Sequence, residues 1–231
     1  MAETSFAAKA LALLAAAYPH CPGATLAELQ IGERDRRLLA LREQVFGRRL
    51  AGSGLCPACA SRVEFEIGVH DVTVPPLQAE NSASSQFLIS GDYEVSFHIP
   101  TTRDLSTIEC LESFEDRVGQ LLHRVIDTAL WRGNKITCDE LPQSIVDELE
   151  ARLEEADPQG DVRLNLVCGV CGREWEELFD IASFLWAEVH AWAIRLMRQV
   201  HTLARAYGWG ESEILALSPW RRQRYLEMLS E

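Results

Sequence analysis

Apolar positions recur at two spacings along this chain, and each change of spacing marks a change of element. Residues 5–18 read as a helix, with Ser5 as a helix N-cap and Tyr18-Pro19 as its stop. Glu33 to Leu50 carries Leu38, Leu41, Val45 and Leu50 on one stripe, widened by Leu39 and Phe46, with Arg and Glu on the opposite side. Ala51-Gly-Ser-Gly54 ends that helix. From Arg62 to Val69 the period drops to two: Val63, Phe65, Ile67 and Val69 alternate with Glu64 and Glu66, as in a half-buried strand. Gln86–Ser90 and Tyr93–Ile99 flank Gly91-Asp92, which suits a type II′ hairpin. The polar run 80–85, within a loop over 71–85, reads as a mobile surface segment.

Helical spacing then returns. Ser106-Thr-Ile-Glu109 has the form of a capping box, and Ile108, Leu111, Val118, Leu122 and Val125 mark a buried stripe reaching to about Leu130. Gly133-Asn134 closes it. Residues 142–156 form a further helix stopped by Asp157-Pro158. Val162, Leu164 and Leu166 alternate again, and Arg173–Phe179 mirrors them. The longest helix starts at Asp180 as N-cap and stops at Gly208. Its apolar residues, Trp186 and Trp192 among them, cover more than one face, so it reads as a central buried helix. Two short helices end the chain, Glu211–Leu217 and Pro219–Ser230, the second capped by Ser218.

The fold class this predicts is α+β, mainly helical, with a small discontinuous zinc-ribbon-like sheet packed against the long C-terminal helix. Four regions follow: 1–54 helical, 55–105 strand and hairpin, 106–160 helical, and 161–231 with the long helix, together one cooperative domain.

Two short motifs tie that plan together. Cys56-Pro-Ala-Cys59 precedes one alternating strand, and Cys168-Gly-Val-Cys171 joins two others. Thiolates two residues apart grip one edge of a tetrahedral metal, and two such pairs complete a four-sulfur zinc site. The first cysteines of the pairs lie 112 positions apart (168 − 56), so the metal would fasten the tertiary fold. Structural zinc contributes roughly 10–16 kcal/mol in finger peptides, against about 4.7 kcal/mol to close a loop of ~100 residues. Four sulfurs leave no open coordination position, so the site reads as structural. An iron–sulfur cluster, a redox dithiol or two separate dithiols are the alternatives. Cys21, Cys110 and Cys138 read as small buried hydrophobes in a reducing cytoplasm.

The remaining chemistry is sparse. The net charge of −13 argues against a general nucleic-acid or anionic-membrane binder. No apolar run reaches the roughly 20 residues of a membrane helix, and Glu3 and Lys9 make the first helix unlike a secretory signal. His190 and His201 share a helix face about 16 Å apart, too far to hold one metal. His70, His98 and His123 have no sequence partner. Arg221-Arg222-Gln-Arg224 could touch an anion, which keeps a zinc-ribbon nucleic-acid adaptor as the second reading. Trp209 and Trp220 either pack on the body or anchor a partner. No hydrolase, phosphate-loop or dinucleotide motif is present, so the chain reads as non-enzymatic.

In combination these segments resemble a family. Cys168-Gly-Val-Cys171-Gly-Arg-Glu-Trp175, Phe179-Asp-Ile181, Phe184-Leu-Trp186, Ala206-Tyr-Gly-Trp209 and Glu213–Pro219 with Arg221, Arg222, Tyr225 and Leu226 are similar to baseplate proteins of contractile-tailed phages and phage-derived contractile injection systems. Ile31-Gly32, Arg34-Asp35, Leu41-Arg-Glu43, Phe46-Gly47 and Cys56-Pro-Ala-Cys59 fit the same pattern. The resemblance implies a structural protein or hub-assembly chaperone without enzymatic activity, working in the cytoplasm or within the particle. It also implies hub, spike or wedge proteins as partners. Only the four cysteines carry over as site residues.

Overall fold

A computed structural model describes residues 5–75 and 85–229. It is α+β and mainly helical, with three small antiparallel sheets among the described residues. The chain divides into two compact units, Met1–Ser183 and Phe184–Glu231.

The first unit opens with α1 (Phe6–Ala17), where the Ser5 hydroxyl accepts the Ala8 N–H, then the single turn of α2 (Gly23–Ala27) and α3 (Ile31–Phe46). α3 stops at Gly47, whose φ of +88° few other residues tolerate. Its buried face is not the one the periodicity indicates. Leu38 and Leu39 are buried, but Val45 is exposed, and Arg34, Asp35 and Arg42 go inside instead. Each is held locally. Arg34 Nε donates to Asp35 Oδ1 at 2.7 Å and lies over the Phe6 ring, while Arg42 Nη1 donates to the Gly47 carbonyl at 2.7 Å. Charge on a helix signals solvent only when nothing nearby can pair with it.

After Gly47 the chain enters β1 (Arg49–Leu55), which pairs antiparallel with β2 (Arg62–Gly68). The sequence reading ended a helix here, because Gly52, Ser53 and Gly54 leave no alternation to detect. The strand is nevertheless specified by its neighbour. Gly52 lies opposite Phe65, and a Cβ at position 52 would come within 2.4 Å of that ring. The loop expected over 71–85 lies mostly outside the described residues, and its described start forms a 3-10 turn, Val69–Val72, with Val72 buried.

β3 (Gln86–Ser90), β4 (Tyr93–Phe97), β5 (Ile126–Trp131) and β6 (Asn134–Ile136) form a four-stranded sheet in that order. Ser90 pairs with Tyr93 across Gly91-Asp92, and only Gly91 of the two takes positive φ, the pattern of a type II′ turn. Between β4 and β5 lie α4 (Thr102–Ile108) and α5 (Phe114–Val125). The capping box is Thr101 with Asp104, five residues (106 − 101) before the expected Ser106 and Glu109. The helix expected to reach Leu130 ends at Val125. Ile126–Trp131 satisfies both periods, and pairing with β4 decides for a strand. Arg132 and Gly133, both at positive φ, turn β5 into β6. Leu88, Val95, Phe97 and Ala129 from this sheet pack on Leu141 and on Ile145 and Leu149 of α6 (Gln143–Ala156). The unit continues with β7 (Arg163–Val167) paired to β8 (Glu174–Leu178).

α6 ends in two clasps onto the N-terminal half. Asp157 Oδ2 accepts the Gly32 N–H at 2.7 Å, and a Cβ at Gly32 would collide with that carboxylate. Buried Gln159 accepts the Val74 N–H at 2.7 Å and donates to the Val72 carbonyl at 3.1 Å.

α7 (Ile181–Tyr207) runs into the second unit, its start capped by Asp180 Oδ1 on the Ser183 N–H. Gly208 takes φ +70°, the expected stop. α8 (Glu211–Ala216) and α9 (Pro219–Glu227) follow, with Ser218 capping α9. Tyr207 stacks on Trp209, and both rings make T-shaped contacts with Tyr225, at 67° and 84°. The expectation of a helix buried throughout is not met: Trp192 is 49% and Met197 61% exposed. Twenty-seven residues span about 40 Å, more than two short helices can cover.

Candidate metal centre

Each cysteine pair sits at the end of a hairpin, the first between β1 and β2, the second between β7 and β8. The two turns have the same backbone bonding. In the first, the Ala60 N–H donates to the Cys56 carbonyl and the Cys56 N–H to the Ser61 carbonyl, both at 2.9 Å. In the second, the Gly172 N–H donates to the Cys168 carbonyl at 2.9 Å and the Cys168 N–H to the Arg173 carbonyl at 2.8 Å. The residue after each second cysteine is left-handed, Ala60 at φ +56° and Gly172 at φ +72°. That turn lifts both sulfurs of a pair to the same side. The hairpins are neighbours: a Cβ on Gly54 would lie 3.7 Å from Leu166.

The four sulfurs converge, all within 4.8 Å of one another. Cys56 Sγ is 3.6 Å from Cys171 Sγ, and Cys59 Sγ is 3.7 Å from Cys168 Sγ. A metal–sulfur bond of about 2.3 Å implies tetrahedron edges of about 3.8 Å, so one ion fits at the centre. A polynuclear iron–sulfur cluster, with several irons and sulfides between the thiolates, needs a wider cage, and separate dithiols would not meet. Cys56 and Cys168 are buried, while Cys59 and Cys171 are exposed.

The acidities differ around the ring. The Ser61 hydroxyl and amide favour the Cys59 thiolate and draw its pKa down to about 6. Amides of Cys171 and Val170 lower Cys168. Cys171 receives the Arg173 amide, yet the crowding sulfurs of Cys59 and Cys56 prevail and push it up to about 12. Sulfurs this close cannot all ionise without a cation among them, and a bound divalent ion removes that conflict. Ser61 and the left-handed position 60 escaped the sequence reading; the only sequence trace of the latter is Gly172 at the equivalent place.

The other candidate residues lie elsewhere. His98 Nδ1 is 3.1 Å from Asp127 and its Nε2 3.4 Å from Asp104, and His123 Nε2 is 2.9 Å from Asp139. His70, His190 and His201 are exposed. The three leftover cysteines are less buried than expected, Cys110 being exposed and Cys21 and Cys138 half-buried, with Cys138 at the margin of the core between the four-stranded sheet and α6. Arg222 is buried and its Nη1 donates to the Leu217 carbonyl at 2.6 Å, holding the end of α8 rather than facing an anion. Trp220 is exposed beneath the Arg224 guanidinium. Among the described residues no helix is long and apolar enough to cross a membrane.

Fold and site together define an α+β protein whose two hairpins meet at four convergent cysteines. The chain belongs to the T4 bacteriophage base plate protein family, whose sequence model matches residues 13–186 and so takes in both cysteine pairs. No curated protein and no solved structure matches the chain.

Proposed function

We propose that Cys56, Cys59, Cys168 and Cys171 bind one zinc ion, turning the two hairpins into a zinc-ribbon-like clasp. On this reading the chain works without catalysis, as a structural or assembly component of a contractile-tail baseplate, and contacts hub, spike or wedge proteins. The metal reading is carried by the convergence at one-ion spacing of two C-x-x-C pairs that lie 109 to 115 residues apart in sequence. Zinc is the usual ion for four thiolates. Bound there, it neutralises the four sulfurs and cross-links the chain. With every coordination position filled by protein, it has none for a substrate.

The baseplate role is supported by family membership. The setting is the cytoplasm of the cell that builds the tail, then the particle itself. The nucleic-acid adaptor reading loses one of its three arginines, since Arg222 holds the Leu217 carbonyl inside the fold.

Metal analysis of the purified chain is expected to give one zinc per molecule. Co-purification with the neighbouring tail proteins tests the role. Presence in finished particles marks a permanent component, presence only in assembly intermediates marks a chaperone, and absence from both refutes the baseplate reading.

A further inference from the structure

We propose that the outer edge of β3 is a self-docking strand, which pairs antiparallel with β3 of a second copy of this chain about a two-fold axis through Leu88. This inference is independent of both the metal and the baseplate readings.

β3 ends the sheet order β3-β4-β5-β6, so among the described residues its outer edge has no strand partner. The two-residue turn makes Ser90 and Tyr93 a hydrogen-bonded pair. Alternation along the ladder then turns the main chains of Gln86 and Leu88 toward β4 as well, and those of Phe87 and Ile89 outward. Four groups point away from the sheet, the N–H and C=O of each. Exposed strand edges normally carry a lysine, a proline or a bulge that blocks pairing. Gln86-Phe-Leu-Ile-Ser90 has no charge and no proline, and its register with β4 is regular. Its two outward-facing side chains are large and apolar, Phe87 being 73% and Ile89 74% exposed.

The strand is complementary to itself. About Leu88 it reads polar, apolar, apolar, apolar, polar. A two-fold at Leu88 sets Phe87 against the partner's Ile89 and Ile89 against the partner's Phe87. Each is an aromatic opposite a β-branched residue, a favourable cross-strand pair. The same register joins all four outward main-chain groups in four hydrogen bonds, leaves Leu88 facing its own copy in the non-hydrogen-bonded position, and sets Gln86 against Ser90. An isologous contact of this kind closes as a dimer and does not propagate. Charge opposes it. The chain carries −13, Glu94 lies on β4 opposite Ile89, and Glu148 of α6 accepts the Ser90 hydroxyl. Added salt screens that repulsion, so association strengthens with ionic strength.

Sedimentation equilibrium of the full metal-loaded chain, at low and high sodium chloride, tests this. A reversible monomer–dimer equilibrium shifted toward dimer by salt is expected. Ile89→Lys raises the dimer dissociation constant at least about tenfold, with an unchanged melting curve because the side chain is exposed. On mild oxidation Phe87→Cys/Ile89→Cys gives a covalent dimer above the wild-type background, and either single variant does not, because 87 faces 89. A chain monomeric throughout, or a dimer indifferent to Ile89→Lys, overturns the proposal. Amide exchange sorts a monomeric result. Protected Phe87 and Ile89 amides mean that the chain covers its own edge, and freely exchanging ones leave the edge to a strand from another protein. Either result refutes self-docking.

Discussion

Replacing Cys168 with serine removes a buried sulfur from one corner of the four-cysteine cluster. A serine oxygen is a poor ligand in a thiolate site, so the ion is lost or held far more weakly. The contacts that vanish join positions 109 and 115 residues apart. In the chain-entropy picture, a cross-link over ~100 residues is worth about 4.7 kcal/mol. That is an upper bound here, because Asp157 on Gly32 and Gln159 on Val72 and Val74 already tie the same halves together. A loss of about 2–4 kcal/mol follows, within the range for removing one native cross-link. For a chain of this size each kcal/mol moves the melting temperature by about 2–4 °C, so a fall of about 4–16 °C is expected. Calorimetry with metal analysis on the same sample measures both quantities. Cys56→Ser, at the other buried corner, should behave alike, and chelation of the wild type should reproduce the shift. A Cys168→Ser protein that keeps one equivalent of zinc and melts with the wild type would refute the clasp.

The left-handed turn positions give opposite predictions. Ala60→Gly should stabilise by about 1 kcal/mol, and Gly172→Ala should cost about 1–2 kcal/mol, since a side chain there meets nothing but its own backbone strain; denaturant titration of the metal-loaded protein reads both. Gly52→Ala drives a Cβ into the Phe65 ring, so it should destabilise strongly in the wild type and much less beside Phe65→Leu, a coupling that a double-mutant cycle measures. Burial raises Asp35 and Asp157, outweighing for Asp35 the Arg34 pairing and for Asp157 the Gly32 amide. With folded pKa values above unfolded ones, the folded state binds protons more readily, and these two groups make stability fall as pH rises from about 4 through the raised values. Metal affinity runs the other way, weakening as acid protonates the thiolates. Melting temperature against pH should therefore slope less steeply upward, or reverse, once the metal is chelated, and Asp157→Asn should turn that chelated-state slope back in the upward direction.

How much of this was legible in the sequence depended on whether one residue type carried one meaning. The cysteine pairs were readable because spacing alone sets their chemistry, β2 and β7 because polar and apolar residues alternate along them, and β8, whose alternation breaks at Glu176-Glu177, because it follows the second pair as the return strand of a ribbon. β1 was not, since Gly52 is explained only by the Phe65 ring across the ladder and Gly54 lies against Leu166 of the other hairpin. β5 was not, because Ile126–Trp131 continues a helical stripe and only pairing with β4 decides between the periods. The buried face of α3 was misread for a related reason. Arg34 and Asp35 are adjacent in sequence and neutralise each other inside, where charge normally implies solvent. At the site, convergence of the pairs followed from metal chemistry, whereas the Ser61 contribution to Cys59 depends on a turn geometry that no spacing rule encodes.

The position of the cluster gives the clasp a specific mechanical meaning. Two hydrogen-bonded ties, at Asp157 and Gln159, already hold residues 32 and 72–74 against the segment after α6. Hairpins that only needed to lie near each other would be served by these alone. The cysteines add a constraint the ties cannot supply, because they act at the far ends of both hairpins, where each strand pair is isolated in its own two-stranded sheet. A lone two-stranded hairpin is marginal in water, and here two are fastened tip to tip. Losing the ion should therefore loosen residues 49–68 and 163–178 before the core of α6 and the four-stranded sheet. Amide exchange on chelated protein measures this directly: early exchange confined to the two hairpins is expected, and uniform acceleration across the first unit would mean that the cluster holds the whole unit rather than its tips.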